Sequence, residues 1–226
     1  MSAREDILGR VRAALGRGEG AGPPPMPDHA SAPLVPARGR GSPSECAARF
    51  VTMAEESSAS VARVAAREDV AQEIARFLAA SNLPPRLVRA PDAALDACGW
   101  HRAPGLVLRQ GRAETDDAVS VTPAFAGIAE TGSLMVASGP ATPYSLNFLP
   151  ATHIAVLDAA RIVGAFEDAW ALIRPNGETA AALPRTVTLI TGPSRSSDIE
   201  RTVTIGVHGP RRLHIVVVGR ADGEAA

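Results

Sequence analysis

From Ser44 onward, short β-branched runs alternate with stretches that repeat apolar residues at helical spacing, and no other feature of the 226-residue chain constrains its fold as strongly. Runs at 60–64, 87–88, 106–108, 119–121, 133–137, 154–157, 187–190 and 213–218 read as strands. Phe50, Val51 and Ala54, then Val70, Ile74, Phe77 and Leu78, and finally segment 167–173 read as helices, because their apolar residues return to one face every three or four positions. Strands interleaved with helices of this length predict an α/β domain with a mostly parallel sheet and helices on both faces. Ligands of such sheets usually sit outside the carboxyl ends of the strands.

The same reading divides the chain. Ser2 and Glu5 have capping-box spacing, and Ile7, Leu8, Val11, Ala14 and Leu15 follow on one face, so residues 1–17 read as an amphipathic helix. Residues 18–43 are dense in Gly and Pro, including Pro23-Pro24-Pro25, and read as an extended linker that tethers this helix. Docking of the helix on its own domain is expected, since an isolated helix of this length is marginal in water. Residues 44–219 form the main domain and 220–226 a tail. The glycine-rich run at 16–22 follows a helix and precedes prolines, whereas a dinucleotide fingerprint leaves a strand and opens a helix.

Composition narrows the chemistry. All 23 basic side chains are arginine, so Schiff-base formation on lysine and a Gly-Lys-Ser/Thr phosphate loop are both excluded. A net charge of −1 with interspersed signs supplies no basic field for a nucleic acid, and none is expected as a partner. Cys46 and Cys98 are the only cysteines, too few for an iron–sulfur cluster held by this chain alone. No His/Asp/Glu grouping has metal-ligand spacing, and neither metal nor cofactor is expected. The first residues include Glu5 and Asp6 without a secretory apolar core, and no run approaches the roughly 20 apolar residues of a membrane span, so a cytoplasmic protein is expected.

Two polar constellations are candidates for a site. In the first, Gly192 and Pro193 end a strand, and Ser194, Ser196, Ser197 and Asp198 stand where a helical turn would start. Such a turn cradles a small anion with hydroxyls and backbone N–H groups, or else simply caps a short helix. Close behind it, His208 lies in Gly206-Val207-His208-Gly209-Pro210, placed either to carry a proton or to serve as an ordinary hydrogen-bonding turn residue. In the second constellation, Glu130-Thr131-Gly132-Ser133 is expected at a helix-to-strand corner. There the Glu130 carboxylate would act as base or nucleophile in a cleft, or cap a backbone. His153 and His214 sit within apolar strands and read as packing residues.

These motifs, taken in order, resemble a known family. Ala129-Glu130-Thr131-Gly132-Ser133-Leu134, Leu149-Pro150 with His153-Ile154, Gly192-Pro193-Ser194 with Ser197-Asp198-Ile199-Glu200, and Gly206-Val207-His208-Gly209-Pro210 look like the motifs of the lactate utilisation protein C family, whose core is called the LUD domain. The resemblance implies a fold similar to that of CoA transferases and sugar-phosphate isomerases. It also implies a role in bacterial oxidation of L-lactate to pyruvate beside iron–sulfur partner proteins. Under it, this chain is a non-redox subunit binding a small anionic ligand. Glu130 and His208 would be the reactive groups, and Thr131, Gly132, Ser133, Gly192, Pro193, Ser194, Ser197 and Asp198 would hold the ligand. Two alternatives stay open: a stand-alone transferase- or isomerase-like enzyme using Glu130, and an assembly module for the iron–sulfur proteins.

Overall fold

The computed structural model describes residues 3–16, 35–174, 183–196 and 204–221. The chain divides into two units, Met1–Leu34 and Val35–Ala226. In the first, helix α1 (Ala3–Ala14) carries Glu5 and Asp6 in its first turn and Arg12 in its last, charges that complement the helix dipole. Ser2, half of the expected capping box, lies outside the described residues.

The second unit contains α2 (Pro43–Glu56), β1 (Ser60–Val64), α3 (Val70–Ala80), β2 (Arg86–Arg89), α4 (Ala93–Asp96), β3 (Val107–Gln110), β4 (Val119–Pro123), β5 (Ala126–Ile128), β6 (Ser133–Ala137) and β7 (Thr152–Asp158). It continues with β8 (Ile162–Val163), α5 (Phe166–Ile173), β9 (Val187–Ile190), β10 (Arg195–Ser196), β11 (Thr204–Ile205) and β12 (Arg212–Val218). Six strands form a parallel sheet in the order β1-β12-β7-β4-β2-β3, so the fold is α/β with a mostly parallel sheet. A second sheet, β8-β5-β6-β9, stands apart from it and is mainly antiparallel, which the strand–helix alternation did not foretell.

The continuous apolar run in β12 has a direct cause. Leu213, Ile215 and Val217 enter one core with Phe50 of α2 and Leu157, while Val216 and Val218 enter the other with Ile74 and Leu78 of α3. Strand side chains alternate, so a strand covered on both faces must be apolar throughout. The two cysteines fall in these separate cores, buried and unpaired, and burial pushes both thiols above the ordinary value.

His153 and His214 are packing residues, as read. His153 on β7 is fully buried, with Nε2 at 2.7 Å from Thr122 Oγ1, and burial pushes its pKa down to about 4. The His214 ring on β12 stacks on Phe77 with centroids 3.9 Å apart, and its Nδ1 lies 2.8 Å from Ser60 Oγ. Its pKa is likewise lowered to about 4, because burial outweighs the opposing pull of Glu73 at 3.5 Å.

Helix α2 is closed at both ends. Ser42 caps it, with Pro43 at the first position, and Glu45 completes a capping box by accepting the Ser42 backbone N–H at 2.7 Å. At the other end Ser58 takes φ 68°, and the Ala59 N–H reaches back to the Ala54 carbonyl at 3.0 Å. This is the left-handed closure that glycine usually provides.

Candidate functional site

Two turns converge on the C-terminal half of α2. Gly132, in the turn between β5 and β6, has φ 65°, and a Cβ there would lie 2.2 Å from the Ala54 backbone nitrogen. Gly192, just beyond β9, has φ 68°, and its Cβ would lie 2.0 Å from the Ser57 carbonyl oxygen. Both positions need glycine for the backbone angle and for the close approach. A chain of hydroxyls joins the turns: Ser133 Oγ lies 2.7 Å from Thr131 Oγ1 and 2.6 Å from Thr191 Oγ1. Thr131, Gly132 and Ser133 are thus brought to the Gly192 turn, as parts of its support.

Glu130 goes elsewhere. Its turn joins two strands of a hairpin, Ile128 pairing with Ser133, and is not the expected helix-to-strand corner. The side chain is 4% exposed, and Oε1 accepts the Phe166 backbone N–H at the start of α5 at 3.2 Å. Arg38, itself two-thirds exposed, stands 3.9 Å from Oε2 and contributes little at that distance. Glu130 is not among the residues that line the cleft holding Ser194 and His208. The carboxylate satisfies an otherwise open helix N–H, the simpler of its two sequence readings. Glu130→Gln keeps an acceptor for that N–H and should leave stability within about 1 kcal/mol, while Glu130→Ala should cost about 1–2 kcal/mol. Urea unfolding of the two variants checks the difference, and an equal loss in both would contradict the capping role.

The Ser194 turn also differs from expectation. No helix starts at Ser194, because Arg195 and Ser196 form β10 and pair antiparallel with Ile205 and Thr204 of β11. Ser197 and Asp198 lie outside the described residues. This ribbon brings His208 back to Ser194: the His208 backbone N–H donates to Ser194 Oγ at 3.3 Å, and the Ser194 N–H donates to the Pro210 carbonyl at 2.9 Å. Among the described residues, the Ser194 hydroxyl hydrogen has no acceptor.

Gly192, Pro193, Ser194, Arg195 and His208 line a cleft of about 290 Å³, with Asn147 in its wall. Asn147 is 6% exposed, and its Oδ1 is buried without a hydrogen-bond partner among the described residues. Arg195 donates to Ser58 Oγ through one of its terminal nitrogens. Neither Asn147 nor Arg195 was singled out in the sequence. Asn147 follows a proline- and serine-rich loop with no motif around it, and, Phe148 aside, the residues with which it lines the cleft lie more than forty positions away. The cleft lies beside Asn147 and Phe148, which precede β7, and Gly209 and Pro210, which precede β12. That is the amino end of the parallel strands.

The carboxyl ends hold a larger cleft of about 400 Å³, lined by residues that follow β1, β2, β4 and β7, among them Arg67, Asp92, Phe125 and Arg161. Ser138, at the end of β6, also lines it and accepts the Thr186 backbone N–H at 2.9 Å. The strand-end rule pointed to this place, but no local motif named its residues. Among the described residues, no group of three or more His, Cys, Asp or Glu side chains is placed to hold a metal ion, and no helix is long and apolar enough to cross a membrane.

Residues 47–218 match the family model of the LUD domain. The chain belongs to the LUD domain family. Curated relatives of this LUD-domain chain include the Lactate utilization protein C of Geobacillus sp. (strain WCH70), 36% identical over 100 residues, 44% of this chain and 42% of that protein. Lactate utilization protein C of Bacillus subtilis (strain 168) is 34% identical over 100 residues, again 44% of this chain and 42% of the relative. The match thus spans about two fifths of the length of these curated relatives. In fold, the LUD-domain chain is similar to a DUF162 family protein from Deinococcus radiodurans known from its crystal structure, with a TM-score of 0.57 and 22% identity. That alignment covers 80% of this chain and 100% of the other.

Proposed function

We propose that this protein is a non-redox LUD-domain component of a bacterial L-lactate utilisation system, and that it holds a small 2-hydroxy acid in the Ser194–His208 cleft. The buried, unpartnered Oδ1 of Asn147 in the cleft wall carries the site part of this reading. Asn147 lines the cleft, and a buried amide oxygen without a partner among the described residues favours a nearby donor, which a ligand hydroxyl would supply. The Ser194 hydroxyl, the Arg195 guanidinium and the His208 ring would meet the carboxylate beside it. The names of the curated relatives support the lactate part.

Cys46 and Cys98 cannot supply the four ligands of an iron–sulfur cluster from two separate cores. Electron transfer is accordingly assigned to iron–sulfur partner proteins. On this reading the chain is a binding subunit, and Glu130 performs no step at the ligand.

The test is calorimetric titration with L-lactate and pyruvate, combined with gene deletion. L-lactate should bind, pyruvate more weakly for want of a donor hydroxyl, and Asn147→Ala should weaken L-lactate by about tenfold or more. L-lactate affinity unchanged from wild type in both Asn147→Ala and Ser194→Ala would remove the site. Normal growth of the deletion strain on L-lactate would remove the physiological role.

A further inference from the structure

We infer that the cleft at the carboxyl ends of the parallel strands is a second ligand site, selective for a small monocarboxylate with an apolar body and anchored on Arg161. The proposal stands independently of the Ser194–His208 cleft, which lies at the other end of the sheet. Its first support is convergence. Arg67 follows β1, Asp92 follows β2, Phe125 follows β4 and Arg161 follows β7, so four separate strand ends deliver side chains to one cavity. About 400 Å³ is ample for a small organic acid.

The second support is the difference between the two arginines. Arg67 is committed to the wall: Nη2 donates to Asp158 Oδ2 at 3.2 Å and Nη1 to the Ala94 carbonyl at 3.3 Å. The acids are partly committed as well. Asp158 Oδ1 accepts the Ala160 N–H at 3.0 Å, and Asp92 Oδ1 accepts the Ala94 N–H at 2.8 Å. Arg161 has no hydrogen-bond or ion-pair partner among the described residues, and its guanidinium lies 4.6 Å above the centre of the Phe125 ring. A guanidinium placed over an aromatic ring and without a partner among the described residues has N–H groups to offer a planar oxyanion.

The surroundings define the class of ligand. Pro123, Phe125 and Val156 supply apolar wall for a short carbon chain. Asp92 and Asp158 stand in the same cavity, so one negative charge is matched by Arg161 while a second would face carboxylates. A monocarboxylate fits this balance, and a phosphate dianion does not.

Hexanoate and inorganic phosphate are the probes, titrated separately into the full-length protein with amide chemical shifts as the readout. Hexanoate should saturate and shift residues around Phe125 and Arg161, with phosphate binding at least about tenfold more weakly. Arg161→Gln should weaken hexanoate by about tenfold or more, and Arg161→Lys, which keeps the charge but loses the fork, should fall between. Asn147→Ala should leave hexanoate binding unchanged, which separates this site from the lactate cleft. Hexanoate affinity equal in wild type and Arg161→Gln, phosphate binding as tight as hexanoate, or no saturable binding by a protein whose thermal unfolding is normal would each overturn the proposal.

Discussion

Gly132→Ala is expected to destabilise the fold by at least about 3 kcal/mol, as measured by urea unfolding. Two costs combine. The residue has φ 65°, a left-handed conformation that costs an L side chain about 1–2 kcal/mol. The added methyl would also lie 2.2 Å from the Ala54 nitrogen and 2.4 Å from the Met53 carbonyl carbon. These are backbone atoms inside α2, so no flexible side chain can swing away, and overpacking of this kind adds about 1–3 kcal/mol or more. Gly105→Ala is the matched control, with nothing within 4 Å of its Cβ, and should be neutral within about 0.5 kcal/mol. Similar stability in Gly132→Ala and Gly105→Ala would mean that the β5–β6 turn does not press on α2 as described.

Acidification is expected to remove about 6 kcal/mol of stability between pH 6.5 and pH 4. His153 and His214 both have folded pKa values near 4 against an ordinary 6.5, with burial the leading cause in each. Within that window the unfolded chain protonates both rings while the folded chain keeps them neutral. Falling pH therefore favours unfolding, and each histidine contributes about 3 kcal/mol, its stabilisation intact above pH 6.5 and lost by pH 4. Charging His153 is opposed by a fully buried site, whereas a charged His214 would at least face Glu73 at 3.5 Å. Urea midpoints at pH 7, 6, 5 and 4 should fall progressively. His153→Gln and His214→Phe should each flatten about half of the slope, and unchanged slopes in both variants would rule these histidines out as its source.

The long elements were legible because their residues face two cores. The run at 213–218 had to be a strand covered on both sides, and Phe50, Val70 and Ile74 had to lie on buried helix faces. Of the second sheet only β6 and β9 were legible, because β5 has three residues and β8 two, too short to show a period of two. Glu130 misled for a related reason. Its partner is a backbone N–H thirty-six positions away, and backbone donors leave no trace in a sequence. The Gly192–Ser194 and Gly206–Pro210 motifs did come together, although by a β ribbon and not a helical turn. Arg161 and Asn147 belong to no motif, and what distinguishes them is that each carries a polar group without a partner among the described residues.

The β6–β9 ladder runs between the two clefts. At one end Ser133 and Thr191 join hydroxyls beside the Ser194 turn, and at the other Ser138 accepts the N–H of Thr186 in the wall of the carboxyl-end cleft. Five strand steps separate these ends, a span of about 17 Å at about 3.4 Å per residue. No molecule of lactate's size bridges that gap. Small ligands held in the two proposed clefts would therefore sit on one ladder without touching.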